Sequence, residues 1–257
     1  VFENNKQLGG ANQFGHYAEL DPLNSEYIRW QFPNDDNGNF YKGGGHADLT
    51  YLGNEPAPYA KKYFYAKQTN AWQNDYSDLI ELLRALGQAD EPPPASRMNV
   101  DAWMRHLAVH DLLGNEETSL VTGDHGDYAL YAGTAERRFA LIPYDLDAVL
   151  GVQGGTQSAL WRAAANPVLS QLMSRPTVAA RYWFHLDDLA RTLFSAEQLE
   201  PVIDRLVGDY LPRAEVDRLK SFAAKRCEFV LSQIPRELTV TTGLAKRDGF
   251  FTSHSPQ

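Results

Sequence analysis

Apolar residues recur along this chain with two different periods, and the switch between them lays out the elements. Leu79, Leu82, Leu83 and Leu86 share one face of an amphipathic helix predicted over 75–86, ending near Gly87. Trp103, Leu107 and His110 lie near one face of a second helix, over 101–113. Phe14, Tyr17 and Leu20, set among polar residues, predict a strand over 14–20, and 59–66 predicts another. Residues 128–131 and 138–144 predict a hairpin joined by a polar turn at 133–136. Beyond Gly151 the pattern is helical. Asn166 and Pro167 read as an N-cap and first helical residue. Ser174 is expected to cap the next helix, with Pro176 in its first turn and Val178, Tyr182, Leu186, Leu189 and Leu193 as its stripe. Ser195 to Gln198 has the form of a capping box ahead of Leu199, Val202, Leu206 and Tyr210. A last stripe runs through Leu219, Phe222, Ala223, Cys227, Val230 and Ile234, and Pro235 ends it.

Between these elements, 34–39 is dense in turn formers; its acids lack the spacing and distal Glu of an EF-hand. The three prolines at 92–94 predict an extended loop. Glycine pairs at 9–10 and 154–155 and the triplet at 43–45 lack the spacing of a phosphate-binding fingerprint.

Composition narrows the classes. The 257 residues can form one large core or two lobes sharing a cleft. A net charge of −9 argues against nucleic-acid binding, and no apolar run approaches the ~20 residues needed to span a bilayer. The single cysteine, Cys227, excludes an internal disulfide and falls on the core stripe.

Candidate chemistry concentrates in 139–151. An apolar run ends in Pro143 and Tyr144, delivers Asp145 and Asp147, and closes on Gly151. On a strand, residues 145 and 147 would point to one side, a way to hold a divalent cation over a cleft. Read from residue types alone, the same acids equally fit a strand end that caps the next turn. His106 and His110 have a zinc-compatible i, i+4 spacing, but no Glu follows His106 as a metalloprotease requires, which argues against a zinc site.

Several stretches together resemble the CotH kinase family, atypical protein-kinase-like proteins named for a bacterial spore coat protein. That family tends to show Asn-Trp-Asp, then an Asn-Tyr-Tyr-Leu-Tyr-like strand, then Ile-Pro-Trp-Asp-x-Asp and a Gly. The corresponding text here is Gly114-Asn115-Glu116-Glu117, then 127–131, then Ile142 to Asp147 with Gly151. Residues 14–19, 38–42, 65–70 and 78–83 upstream, and 166–172 and 219–226 downstream, extend the resemblance over about 14–234.

The resemblance implies phosphoryl transfer from ATP with Mg²⁺ to a protein Ser/Thr or another hydroxyl. It implies an α+β, protein-kinase-like fold: a mostly antiparallel N-terminal sheet and a larger helical C-terminal part. It makes Asp145 the metal-binding Asp, with Asp127 or Asp147 assisting. Glu117 stands where the family has its catalytic Asp, with Asn115 fixing its loop. Asp127 stands where the family has a metal-binding Asn. Both departures bear on activity, because positioning is most of phosphoryl-transfer catalysis. The 117–127 stretch is longer than the family's usual spacing, so Asp124 is an alternative for the role given to Glu117. Glu19, Lys42 and Lys67 are the nucleotide-side candidates.

Little precedes Phe14, and the chain begins at Val1 without Met, so it reads as an excerpt with a truncated N-terminal part. The expected division is a partial sheet region with the first helix over 1–95, the catalytic-loop and helical part over 96–237, and a tail over 238–257. A secreted or cell-surface setting is what the resemblance suggests. A second reading is a catalytically weak pseudokinase that docks a coat or envelope partner. A third is metal-dependent hydrolysis using Asp124, His125, Asp127, Asp145 and Asp147.

Overall fold

The structure, a computed structural model, describes residues 2–3, 6–7, 22–88, 95–118, 120, 126–160 and 166–235. A short antiparallel pair, β1 (Phe2–Glu3) and β2 (Lys6–Gln7), opens the chain. Four further strands form one antiparallel sheet: β3 (Asn39–Gly43), β4 (Tyr65–Lys67), β5 (Tyr128–Ala132) and β6 (Ala140–Pro143), in the order β4-β3-β5-β6. Seven α-helices accompany it among the described residues: α1 (Ser25–Gln31), α2 (Ser77–Leu86), α3 (Val100–Leu113), α4 (Pro167–Met173), α5 (Pro176–Arg191), α6 (Ala196–Val207) and α7 (Arg213–Gln233). The architecture is α+β, as expected from the sequence.

Both faces of the sheet are covered. Tyr41, Tyr65, Tyr128, Leu130 and Ala132 join a core with Leu79, Leu82, Leu83 and Leu86 of α2 and Trp103, Met104, Leu107 and Leu112 of α3. Phe40, Ala129, Tyr131 and Ile142 turn the other way and pack on Ile28 of α1. Trp103 Nε1 donates to Phe139 O at 2.7 Å inside the core, so the α3 indole fixes the entry to β6.

Helix α3 is the spine of the helical part and packs along α5. Tyr182 of α5 donates to the Asp111 carboxylate, and His185 meets Asp101 Oδ1 at 2.9 Å. Asn166 caps α4 as its sequence suggests, Oδ1 accepting from Leu169 N–H at 3.1 Å.

Several local expectations change. The strand expected over 59–66 shrinks to Tyr65–Lys67: Tyr59 and Ala60 N–H both turn back to Pro56 O, and Tyr63 takes φ +72°, which breaks the extended chain. Ser174 closes α4 rather than capping α5, whose N-cap is Arg175 without a side-chain bond. Ser195 is the N-cap residue of α6, but its Oγ donates to Thr192 O, so no capping box forms. Leu193 lies beyond the end of α5 and is exposed, as are Leu206 and Tyr210; Ile203 is the residue α6 buries. The strand expected over 14–20, with Glu19, and the proline loop at 92–94 lie outside the described residues.

Candidate active site

The C-terminus of α3 sets the geometry of the loop that follows. Gly114 adopts φ +66°, a left-handed cap in which its N–H returns to Asp111 O at 3.1 Å and Asn115 N–H returns to His110 O at 2.9 Å. Glycine is required twice there, since a Cβ would also lie 2.8 Å from Phe222 Cζ of α7. The reversal drops Asn115, almost fully buried, back over His110. Asn115 Nδ2 lies 3.1 Å from His110 Nδ1, and Asn115 Oδ1 accepts from Glu117 N–H at 3.0 Å. Asn115 thus holds the backbone of the residue that carries the candidate carboxylate.

The next residue, Thr118, donates its Oγ1 to Gly126 O at 3.2 Å, which ties this loop to the entry of β5. Thr118 is not marked in the sequence, since a threonine three residues after an Asn offers only a weak turn signal. Gly126 takes φ +94° and passes so close to β3 that a Cβ would lie 2.8 Å from Gly43 O. Asp127 follows at φ +60°.

The ladder of β5 and β6 ends with Tyr128 opposite Pro143. Asp127 precedes Tyr128 and Asp145 follows Pro143 by two residues, so both residues lie at the same end of the sheet. Asp145 sits at φ +53°, a conformation Asp tolerates better than most residues. Asp145 and Asp147 do not alternate along a strand. Pro143 has no N–H to extend the ladder, β6 stops there, and Asp147 begins an exposed turn instead of lying on a strand beside Asp145.

The following segment returns to the same loop: Leu150 N–H donates to Leu113 O at 2.8 Å, and a Cβ on Gly154 would lie 2.6 Å from Gly114 O. Arg226 of α7, fully buried, donates to Asp111 O at 2.8 Å, to Thr156 O and to Ser158 O.

The two candidate lysines separate. Lys67 pairs with Tyr41 across the ladder and shares its face, toward α2. There its Nζ donates to Asp75 O and lies 5.4 Å from the Tyr41 ring; burial pulls its pKa down while Asp78 and Asp75 push it up. Lys42 alternates with Tyr41 and occupies the opposite face, with Nζ 3.7 Å above the Tyr144 ring. Lys42 thus contacts the residue before Asp145, whereas Lys67 faces α2. Asp124 and His125 lie outside the described residues.

His106 and His110 stack with centroids 4.4 Å apart. Burial pushes His110 down to about 4, and burial together with His110 holds His106 well below the ordinary range, so both rings are neutral at pH 7. Among the described residues no three His, Cys, Asp or Glu converge in a cluster able to hold a metal. Mg²⁺ asks for only one or two carboxylates, with water and phosphate oxygens completing its shell.

A cavity of about 520 Å³ opens at the other end of the sheet, lined by Asn39, Asp75, Asp78, Arg97, Thr134 and Arg137 among others. Its groups largely satisfy one another, as in Asn39 Nδ2 to Asp78 Oδ2 at 2.8 Å, and none comes from the loops that carry Glu117, Asp127 and Asp145.

A family model described as CotH kinase protein matches residues 5–230. The chain belongs to that family. A search of curated proteins finds no match. Membership in the CotH kinase family carries kinase-like phosphoryl transfer at the level of the family, and the α+β architecture is consistent with a kinase-like fold. No helix among the described residues is long and apolar enough to cross a membrane.

Proposed function

We propose that this CotH-family chain transfers a phosphoryl group from ATP, with Mg²⁺, to a hydroxyl on a protein substrate. One observation carries the reading. The Asn115-held loop, the Gly126–Asp127 entry to β5 and the Pro143–Asp145 exit from β6 come to one end of one sheet, tied by Thr118 to Gly126 and by the Tyr128–Pro143 pairing.

In this reading Asp145 and Asp127 hold Mg²⁺, which supplies charge neutralisation of the nucleotide phosphates when bound. Glu117 accepts a hydrogen bond or the proton from the acceptor hydroxyl. Lys42 leaves the Tyr144 face to meet phosphate oxygens. Glu carries its carboxylate one methylene farther than Asp, and the backbone bond from Asn115 limits how far that length spreads its position.

Calorimetric titration of ATP with and without Mg²⁺, on wild type and Asp145→Ala, tests the reading. Metal-dependent binding that Asp145→Ala loses supports it. No binding to a chain that includes any residues encoded before Val1 overturns it and favours the scaffold alternative, a pseudokinase docking a coat or envelope partner. Nucleotide-independent hydrolysis with a transition metal would favour the third alternative.

A further inference from the structure

We propose that His110 is a positioning residue for Glu117, acting through the side chain of Asn115. The proposal rests on the phosphoryl-transfer reading in one respect only: it takes Glu117 as the carboxylate that meets the acceptor.

The amide of Asn115 has one orientation compatible with its neighbours. Its Oδ1 accepts the Glu117 N–H at 3.0 Å, which leaves Nδ2 as the group facing His110 Nδ1 at 3.1 Å. Nδ2 only donates, so His110 Nδ1 must carry a lone pair and the ring proton must reside on Nε2. A protonated His110 would set two donors against each other. Burial keeps the ring neutral, and stacking on His106, with planes 28° apart, fixes its rotation.

Asn115 is also bound to His110 through the backbone, its N–H to His110 O at 2.9 Å. Two bonds between the same two residues leave the Asn115 side chain little rotational freedom. The helix end alone does not need this. The left-handed turn at Gly114 already gives His110 O and Asp111 O backbone partners, and the side-chain bridge meets no helix carbonyl; what it fixes is the Glu117 amide. A displacement of about 1 Å at a reacting group costs roughly 100-fold in rate, so an anchor of this kind acts on turnover rather than on nucleotide affinity.

The experiment compares wild type, His110→Leu and His110→Asn. Asn places its Oδ1 near the position of the imidazole Nδ1 and retains an acceptor; Leu retains bulk and removes it. Two quantities are read: exchange of the Glu117 backbone amide by NMR, and kcat and KM for ATP. In His110→Leu the Glu117 amide should exchange at least about tenfold faster and kcat should fall about 10- to 100-fold, with KM for ATP within about twofold. His110→Asn should restore most of both.

Unchanged Glu117 exchange in His110→Leu overturns the proposal whatever the activity. Faster exchange with unchanged kcat overturns it as well. If wild type transfers no phosphate, the functional reading fails on its own, and amide exchange still decides whether His110 sets the Glu117 backbone. Should His110→Leu not fold, imidazole ¹⁵N shifts of the wild type decide. A pyridine-type Nδ1 on His110 supports the relay and a protonated Nδ1 overturns it.

Discussion

Arg226 of α7 reaches Asp111 O of α3 at 2.8 Å, and the same guanidinium bonds the carbonyls of Thr156 and Ser158. One buried cation therefore joins the last helix, the helix that enters the candidate loop, and the segment that returns from Asp145. Arg226→Lys keeps the charge but its single ammonium cannot span all three carbonyls. Leaving buried carbonyls unmet costs about 1–3 kcal/mol, and the urea midpoint should shift down accordingly. A variant as stable as wild type would show that the fork geometry is dispensable.

Gly114 and Phe222 are coupled by contact. Gly114→Ala forces a left-handed alanine, costing about 1–2 kcal/mol, and drives its methyl to 2.8 Å from the Phe222 ring. Phe222→Leu in the same background should relieve the second cost and leave the first. The double-mutant cycle in chemical denaturation should thus show the pair less destabilised than the sum of the singles, by about 0.5 kcal/mol or more.

The stacked histidines make a prediction about acid. His110 titrates near 4 in the fold against an ordinary 6.5, and His106 is also lowered. The unfolded chain then binds more protons than the native one between those values, so stability falls as pH drops from about 6.5 to about 4. The slope is at most about 1.4 kcal/mol per pH unit for each ring. Carboxylates held low, such as Glu136 at about 2 beside Arg138, exert their effect mainly below this window. His106→Leu should flatten the decline between pH 6.5 and 4, read as urea midpoint against pH. An unaltered slope would show that His106 is not buried neutral.

Glu117→Gln removes the carboxylate while sparing the backbone bond to Asn115. A kinase working through Glu117 should lose about 100-fold or more in kcat with ATP binding retained. Full activity would transfer the role elsewhere, with Asp124 the next residue to test.

The longer helices were legible because their signals are local. The α2 leucines and the cap of Asn166 on Leu169 N–H lie within a turn or two of one another. The Asn115–Glu117 link came from the family resemblance, and the structure gives it as the Asn115 Oδ1 bond to Glu117 N–H. Central β3 was not legible from alternation, because adjacent Phe40 and Tyr41 are both buried, one toward α1 and one toward α2 and α3. Helix α1 buries a single residue, Ile28, and so shows no stripe. The placement of Lys67 needed the register of β3 with β4, a long-range fact. A period of two does not extend to Asp147 because the ladder ends at Pro143.

The opposed faces of Lys42 and Lys67 have a consequence for how β3 can vary. Its two neighbours fix its phase from both sides, Tyr41 against Lys67 on β4 and Lys42 against Ala129 on β5. Inserting or deleting one residue within 39–43 would carry Lys42 toward the α2–α3 core and turn Tyr41 toward α1. The number of residues in this strand is therefore as constrained as their identity, and homologous chains should differ in length in the loops before Gly38 and after Gly44 rather than between them.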